Sequence, residues 1–279
     1  MSQPVEIRTL TLPEVRQLVQ WAALEGWNPS PADADAFFCA DPDGFLGCFL
    51  AGHLVAGISA VSYGKTFGFI GLYIARQDFR GKGYGVQVWQ AAMARLGGRT
   101  IGLDGVPAQQ ANYEKMGFRR AYGSARWSGR LFNLPPSSEV ISATRQDFHD
   151  ILPFDRRFFP ADRDLFLKNW LSEPRDCYVA RDANGLTGYV VVRKCLEGYK
   201  IGPLFAVDDQ TAIALLAACG DTVGGEVVFL DVPETRESFA RSLIDLGFQA
   251  GFQTARMYLG PPPSIGLSGV YAATTLELG

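Results

Sequence analysis

The sequence predicts an α/β (α+β) protein of two tandem domains, each with a mixed, mostly antiparallel, twisted sheet flanked by helices. Apolar, strand-like runs alternate with amphipathic helical stretches along the chain. The stiff, turn-rich run Leu134-Pro135-Pro136-Ser137-Ser138 divides it into halves of similar length. The two halves also repeat the same order of elements. We therefore predict domains at 1–132 and 140–279, joined by a linker at 133–139.

In the first half, hydrophobic periodicity and turn residues predict each element. The stretch at 13–25 places Val15, Leu18 and Ala22 on one helical face. The turn Ala51-Gly52-His53 separates two apolar runs and predicts a β-hairpin. The predicted elements are, in order, a strand at 6–10, helices at 13–25 and 32–39, strands at 45–50, 54–63 and 67–75, a helix at 86–96, a strand at 100–106, a helix at 108–116 and a strand at 118–127.

A sequence repeat links the two halves. Two pairs of residues recur 130 positions later, each copy after a predicted helix and leading into a strand. A third pair precedes each copy, and together the matches indicate an internal duplication. The matching pairs are Gly117-Phe118 with Gly247-Phe248, Ala125-Arg126 with Ala255-Arg256, and Leu103-Asp104 with Leu230-Asp231.

Composition argues against several classes of protein. The formal net charge is −3, so no nucleic-acid partner held by overall positive charge is expected. Five scattered cysteines without a C-x-x-C pair are typical of reduced thiols, and no run has the length of a membrane span. Two histidines argue against a His-based metal site or a Ser-His-Asp triad. We expect a cytoplasmic protein with no metal and no membrane partner, and the oligomeric state stays open.

The run Arg80-Gly81-Lys82-Gly83-Tyr84-Gly85 lies between a predicted strand and a predicted helix. Its three glycines let backbone N–H groups approach a ligand closely, and an ordinary turn would need one. The following helix N-terminus adds free donors and partial positive charge. The run therefore predicts a site for a phosphate-bearing ligand. No Lys-Ser/Thr pair follows the glycines, which disfavours a P-loop nucleotide enzyme.

This loop and a second motif, Tyr113-Glu114-Lys115-Met116-Gly117-Phe118, occur in an order that resembles the GNAT superfamily of acyl-CoA-dependent N-acyltransferases. Arg80, Gly83 and Gly85 fit the superfamily's [Gln/Arg]-x-x-Gly-x-[Gly/Ala] signature. The resemblance covers roughly residues 5–130, and both motifs lie in the strand and helix contexts that it requires.

The second half resembles the divergent C-terminal domain of bacterial tandem GNAT proteins. The resembling runs are Phe159-Pro160-Ala161-Asp162-Arg163, Gly202-Pro203-Leu204-Phe205-Ala206 and Leu276-Glu277-Leu278-Gly279. Where a glycine loop would follow, this half has Asp208-Asp209-Gln210. Two carboxylates at a helix start would repel a pyrophosphate, so we expect acyl-CoA in the first half only.

The resemblance implies roles for the cofactor-binding residues. The pyrophosphate would bind the loop, and the pantetheine arm would pair with the preceding strand like an added strand. Tyr113 would protonate the departing thiolate, since a phenol with a pKa of ~10 is protonated at neutral pH. The alternative for Tyr113 is a packing role at a helix end. The predicted cofactor-binding residues are Leu72, Tyr73, Ile74, Arg80, Gly81, Lys82, Gly83, Tyr84, Gly85 and Asn112.

The general base and the acceptor site are less defined. The strand at 67–75 contains no acidic residue, and Asp104 is the nearest alternative base, either directly or through water. A turn role for Asp104 is the other interpretation. Trp27, Arg163 and Arg193 are candidate acceptor-binding residues. The alternative is a core position for the tryptophan and ordinary ion pairing for the two arginines.

We therefore expect an N-acetyltransferase that moves an acetyl group from acetyl-CoA, its acyl-donor co-substrate, to a primary amine by direct attack, without a metal. The alternative is a non-catalytic acyl-CoA-binding sensor or regulatory module. The missing strand carboxylate favours that alternative, whereas Tyr113 favours the enzyme.

Overall fold

The structure is a computed structural model that describes residues 4–132, 134 and 137–279, so the predicted linker lies partly outside the described residues. Within these ranges, thirteen strands form one sheet, mostly antiparallel. The strands are β1 (Val5–Thr9), β2 (Phe45–Leu50), β3 (His53–Tyr63), β4 (Phe67–Ala75), β5 (Thr100–Gly105), β6 (Arg119–Arg130), β7 (Val140–Ser142), β8 (Arg175–Asp182), β9 (Gly185–Lys194), β10 (Tyr199–Ala206), β11 (Val227–Pro233), β12 (Gln249–Leu259) and β13 (Val270–Ala272).

Helices cover both faces of the sheet, which confirms the predicted fold class. The first helix begins where Glu14 accepts a hydrogen bond from the Thr11 backbone N–H, 2.8 Å away. It buries the predicted apolar face. The helices are α1 (Leu12–Leu24), α2 (Asp33–Ala40), α3 (Tyr84–Leu96), α4 (Pro107–Lys115), α5 (Phe148–Asp155), α6 (Asp164–Trp170), α7 (Asp209–Ala218), α8 (Gly220–Val223) and α9 (Glu237–Asp245), with short 3₁₀ turns at Gln77–Phe79 and Leu267–Gly269.

Helices of both halves pack into one core, whereas each of the other two cores is covered by helices of one half only. On one face of the sheet, α1 and α2 from the first half pack with α5 and α6 from the second. On the other face, α3 covers the first half, and α7 to α9 cover the second. Neighbouring residues such as Phe69 and Ile70 belong to different cores because successive side chains of a strand point to opposite faces.

One long strand of each half, β6 in the first and β12 in the second, completes the sheet of the other half. The strand order is β1-β2-β3-β4-β5-β12-β6-β11-β10-β9-β8-β7, with β13 paired to β10. The first half's β6 therefore lies between β12 and β11, and the second half's β12 lies between β5 and β6. The sequence predicts a sheet in each half, and this exchange merges the two sheets into one.

The exchange is symmetric about the β6–β12 pair. Gly123 lies opposite Ala255 and Ala125 lies opposite Gln253, so each contact has its counterpart 130 residues along the chain. Ser124 lies opposite Thr254, its own repeat equivalent. A pseudo-two-fold axis therefore passes between β6 and β12 at this position.

Two equivalent ion pairs join the halves. Arg126 on β6 donates both Nε and Nη2 to Asp231 on β11, each over 2.8 Å. Arg256 on β12 donates in the same way to Asp104 on β5, over 2.8 and 2.9 Å. Both pairs are bidentate and mostly buried, a geometry that fixes the register of the exchanged strands. The repeated Arg and Asp of the sequence are thus partners across the two halves.

The sheet opens in the first half and is closed in the second. The parallel strands β4 and β5 pair only at 67–70 with 100–103, and then diverge. Strands β10 and β11 likewise pair at 199–201 with 228–230. There the chain fills the gap itself, because β13 pairs with β10 from Leu204 onward. Of the helices in the described ranges, none is long and apolar enough to cross a membrane.

Candidate active site

A cavity of about 950 Å³ opens where β4 and β5 diverge. This volume is near the upper end of the usual range for ligand sites, about 300–1,000 Å³. The first half contributes the glycine loop, β4, β5 and Tyr113, and the second half contributes residues of β11, β12 and the C-terminal segment. In the second half, the corresponding opening is a void of about 20 Å³, lined by Phe158 and Phe159 among others.

The glycine loop has the geometry that an anion site requires. Gly81 and Gly83 adopt φ values of +71° and +85°, which side chains with a Cβ rarely adopt. Gly83 immediately precedes α3, and no side chain caps the helix, so its first N–H groups stay available. Arg80 anchors the loop by donating Nε to the Ala75 carbonyl over 3.0 Å and by pairing with Glu25.

Strand β4 bulges at the edge of the cavity. Leu72 has a φ of +45°, and the β3–β4 register shifts between its neighbours. Its side chain is buried, while its backbone lies beyond the last β4–β5 pair. Among the described residues, the edge of β4 that faces β5 therefore has no strand partner from position 71 onward, as pairing with an extended ligand would require.

Tyr113 projects from α4 into an aromatic cluster beside this edge. Its ring stacks on Trp89 with centroids 5.5 Å apart, and Trp89 in turn contacts Tyr73 at 5.4 Å. Burial, with a smaller contribution from Tyr73, raises the pKa of Tyr113 to about 12. The phenol is therefore protonated at neutral pH and can donate a proton to a ligand in the cavity.

Asp104 also lines the cavity, but both of its carboxylate oxygens accept hydrogen bonds from Arg256. Burial raises the pKa of Asp104, and the charge and hydrogen bonds of Arg256 oppose that shift. Proton acceptance by Asp104 would have to compete with this pair, and its role as base stays a prediction.

The structure gathers most, but not all, of the predicted residues around the cavity. Arg163 is buried between Asp155 and Thr274, and Arg193 pairs with Asp33 at 3.2 Å. Neither arginine lines the cavity, so their acceptor role stays a prediction. The predicted residues that line it are Trp27, Leu72, Tyr73, Arg80, Gly81, Gly83, Gly85, Asp104 and Tyr113. Those absent from its lining are Ile74, Lys82, Tyr84, Asn112, Arg163 and Arg193.

Sequence reasoning missed the residues that the strand exchange brings to the cavity. Arg126 and Ser128 on β6 and Phe252 and Thr254 on β12 face the same space as the glycine loop. The repeat contained a signal for one of them, because Arg126 is the counterpart of Arg256. No sequence pattern indicates that β6 pairs with β12.

The C-terminal segment was also missed as part of the site. Ser59 Oγ donates to the Glu277 carbonyl over 3.2 Å, and the Tyr63 hydroxyl donates to the Leu278 carbonyl over 3.1 Å. The Glu277 backbone packs so closely on Gly71 that a Cβ at position 71 would lie 2.1 Å from its carbonyl oxygen. The segment thus lies against β4 beside the bulge.

The cavity mouth is held by contacts between the halves. Asn28 Nδ2 donates to the Glu197 carbonyl over 2.7 Å, and the Glu197 N–H donates to Asn28 Oδ1 over 2.8 Å. Lys200 Nζ donates to the Trp27 carbonyl over 2.8 Å. In the part of the chain that the structure describes, no group of acidic, His or Cys side chains could hold a metal ion.

Comparisons with known proteins agree with this architecture. Residues 12–118 match the model of the Acetyltransferase (GNAT) family, and residues 151–272 match an Acetyltransferase (GNAT) domain. Holothin acyltransferase from Pseudoalteromonas sp. (strain SANK 73390) is 32% identical over 274 residues, which are 96% of this chain and 92% of that protein. The uncharacterized N-acetyltransferase YitH of Bacillus subtilis (strain 168) is 26% identical over 235 residues, 82% of this chain and 83% of that one.

Solved structures share the whole fold. A candidate acetyltransferase from Pyrococcus horikoshii has a TM-score of 0.83 at 21% identity and covers 100% of this chain and 97% of its own. A tandem GNAT protein from the clavulanic acid biosynthesis pathway has a TM-score of 0.65 at 14% identity and covers 93% and 100%. The fold and the site therefore define an acyltransferase with two GNAT folds in tandem. The chain belongs to the GNAT acetyltransferase family, as an acyl-CoA-dependent N-acetyltransferase.

Proposed function

We propose that the protein transfers an acetyl group from acetyl-CoA to a primary amine on an acceptor bound where the two halves meet. One observation carries this proposal: the glycine loop, the unpaired edge of β4 and Tyr113 all line the same cavity. A cofactor with its pyrophosphate on the loop and its pantetheine arm along β4 would end beside the Tyr113 phenol.

The chemistry needs no covalent enzyme intermediate. The amine attacks the thioester carbonyl directly, and binding both reactants in one cavity supplies the orientation. Backbone N–H groups at the β4 bulge, around Leu72 and Tyr73, would polarise the carbonyl. Tyr113 would give its proton to the departing thiolate, which suits a phenol that is protonated at neutral pH.

The exchanged strands would shape the acceptor site. Phe229 and Phe252 provide apolar walls, while Arg126, Ser128 and Thr254 provide polar groups. This combination suits a small acceptor with a flat or apolar body and a few hydrogen-bonding groups. The relative at 32% identity is named a holothin acyltransferase, which makes holothin the first acceptor to assay.

The test is a thiol-release assay with acetyl-CoA, holothin and a panel of primary amines. For a responsive amine, we expect Tyr113→Phe to lower kcat by about 10²–10⁴-fold, the usual range for a general acid. Calorimetry should show an unchanged Kd for acetyl-CoA. Tyr199→Phe, outside the cavity, is the matched control. If the wild type binds acetyl-CoA tightly but releases no CoA thiol in the presence of any amine, the result would instead support a non-catalytic sensor.

A further inference from the structure

We infer that Glu277, delivered by the C-terminal segment, is the general base that accepts the proton of the attacking amine. The inference rests on the proposed function, since it assigns a catalytic group to that reaction. Strand β4 contains no acidic residue, so the base must come from another element. Four observations of the structure single out Glu277: the state of the other carboxylates, its position, its burial and its electrostatic surroundings.

The other carboxylates of the cavity are engaged or remote. Of the described residues, the acids that line it are Glu25, Asp104, Glu197 and Glu277. Glu25 and Asp104 are each paired with an arginine. Glu197 is exposed at the mouth. Glu277 is the remaining carboxylate, and its two oxygens accept no hydrogen bond and form no ion pair with any residue that the structure describes.

Glu277 is fixed at the point where the acyl group is expected. Its carbonyl accepts a hydrogen bond from Ser59, and its backbone packs directly on Gly71. The next residue of β4 is Leu72, where the strand bulges and its free edge begins. A thioester held by that edge would lie next to the Glu277 residue.

Burial and charge suit a proton acceptor. Glu277 keeps only 8% of its surface exposed and lines the cavity. Three cations lie near enough to respond to its charge. Burial lowers the pKa of Lys200, for example, and the Glu277 charge is among the effects that oppose this shift. Burial opposes the charged forms of Arg126 and Arg193, whose pKa values are raised mainly by Asp231 and Asp33, and the Glu277 charge adds to both rises. Glu277 is therefore a buried carboxylate with cations nearby and no ion-pair partner among the described residues.

The step balances without a further reactant. The amine nitrogen attacks the thioester carbonyl carbon and forms the C–N bond, and its proton passes to the Glu277 carboxylate. The C–S bond then breaks, and its electron pair goes to sulfur, which takes the proton of Tyr113. The proton on Glu277 returns to the Tyr113 phenolate through solvent, and the products are the amide and free CoA.

The experiment compares Glu277→Gln with the wild type in the thiol-release assay, using acetyl-CoA and an amine that the wild type acetylates. We expect kcat to fall by about 10²–10⁴-fold. The Kd for acetyl-CoA should not change, because the Glu277 side chain makes no hydrogen bond to a described residue. The Tm shows separately whether loss of the Glu277 charge beside Lys200, Arg126 and Arg193 destabilises the fold. Glu237→Gln, on the exposed start of α9, is the matched control. Glu277→Asp, which keeps a carboxylate, should retain part of the activity.

The split between kcat and KM separates a base from a structural residue. Glu277→Gln should lower kcat and leave the KM for the amine near the wild-type value. Asp104→Asn measures the effect of the other buried acid.

The outcomes are distinct. If Glu277→Gln keeps the wild-type kcat, or if only its KM for the amine rises, the inference is wrong and the proposed function stands. If Asp104→Asn lowers kcat and Glu277→Gln does not, Asp104 is the base. If the wild type releases no thiol with any amine, both the inference and the proposed function fail.

Discussion

Replacing Gly71 with alanine should impair the enzyme although Gly71 carries no catalytic group. A Cβ at this position would lie 2.1 Å from the carbonyl oxygen of Glu277, 2.7 Å from its carbonyl carbon and 2.8 Å from its Cα. All three are backbone atoms, so no side-chain rotation can relieve the overlap. Either β4 or the C-terminal segment must move.

The size of the effect follows from these distances. Ordinary contacts of a Cβ begin near 3.4 Å, so the segment must shift by about 1 Å or more, and a misplacement of about 1 Å can cost 10²-fold in rate. Overpacking typically costs about 1–3 kcal/mol. The hydrogen bonds from Ser59 and Tyr63 to the segment contribute about 0.5–1.5 kcal/mol each and would weaken too. We expect kcat to fall about 10²-fold and Tm to fall by several degrees.

The assay measures kcat for acetyl transfer, the Kd for acetyl-CoA and the Tm of Gly71→Ala. The control is Gly220→Ala, because a Cβ at position 220 would meet no atom within 4 Å and the residue lies in helix α8. Wild-type kcat and Tm in Gly71→Ala would refute the packing of the C-terminal segment on β4. The same result would also contradict the position that we assign to Glu277.

Three further predictions concern the loop, the buried ion pair and Tyr113. Gly83→Ala forces a Cβ into a φ of +85°, a strain of about 1–2 kcal/mol, and should weaken acetyl-CoA binding about tenfold by calorimetry; an unchanged Kd would contradict a role for the loop backbone. Arg256→Met leaves Asp104 buried without its partner and should cost about 3–5 kcal/mol of unfolding free energy, most of which Asp104→Leu in the same chain should restore. Because burial raises the pKa of Tyr113 to about 12, Tyr113 keeps its proton at alkaline pH. The ratio of wild-type to Tyr113→Phe kcat should therefore be constant from about pH 7 to about pH 10, and a fall within that range would contradict the assignment.

The local elements of the first half could be predicted closely from sequence. Strands β2 (Phe45–Leu50) and β4 (Phe67–Ala75) have the predicted bounds, because their apolar runs end at turn residues. The helix after the loop begins at Tyr84, two residues earlier than predicted. Gly83 occupies the left-handed position directly before it, so the last two loop residues, Tyr84 and Gly85, form the first turn of α3.

The site was predictable only where it depends on contiguous residues. The glycine loop and its helix are local, so composition and order were enough to find them. Tyr113 lies in the second motif, on the next helix along the chain. The rest of the cavity lining depends on β6, β12 and the C-terminal segment, which come from opposite halves of the chain. No local pattern indicates that these segments meet.

The sequence by itself determined the element order, the glycine loop and the duplication, because periodicity, glycine content and repeats are properties of neighbouring residues. Only the tertiary structure decided that β6 and β12 exchange, that the repeated Arg and Asp pair across the halves and that Glu277 reaches β4. Strand pairing is chosen by the fit of side chains across a sheet, and alternation along one strand does not specify its partner. The active site therefore contains groups that lie far apart in the chain and close together in the fold.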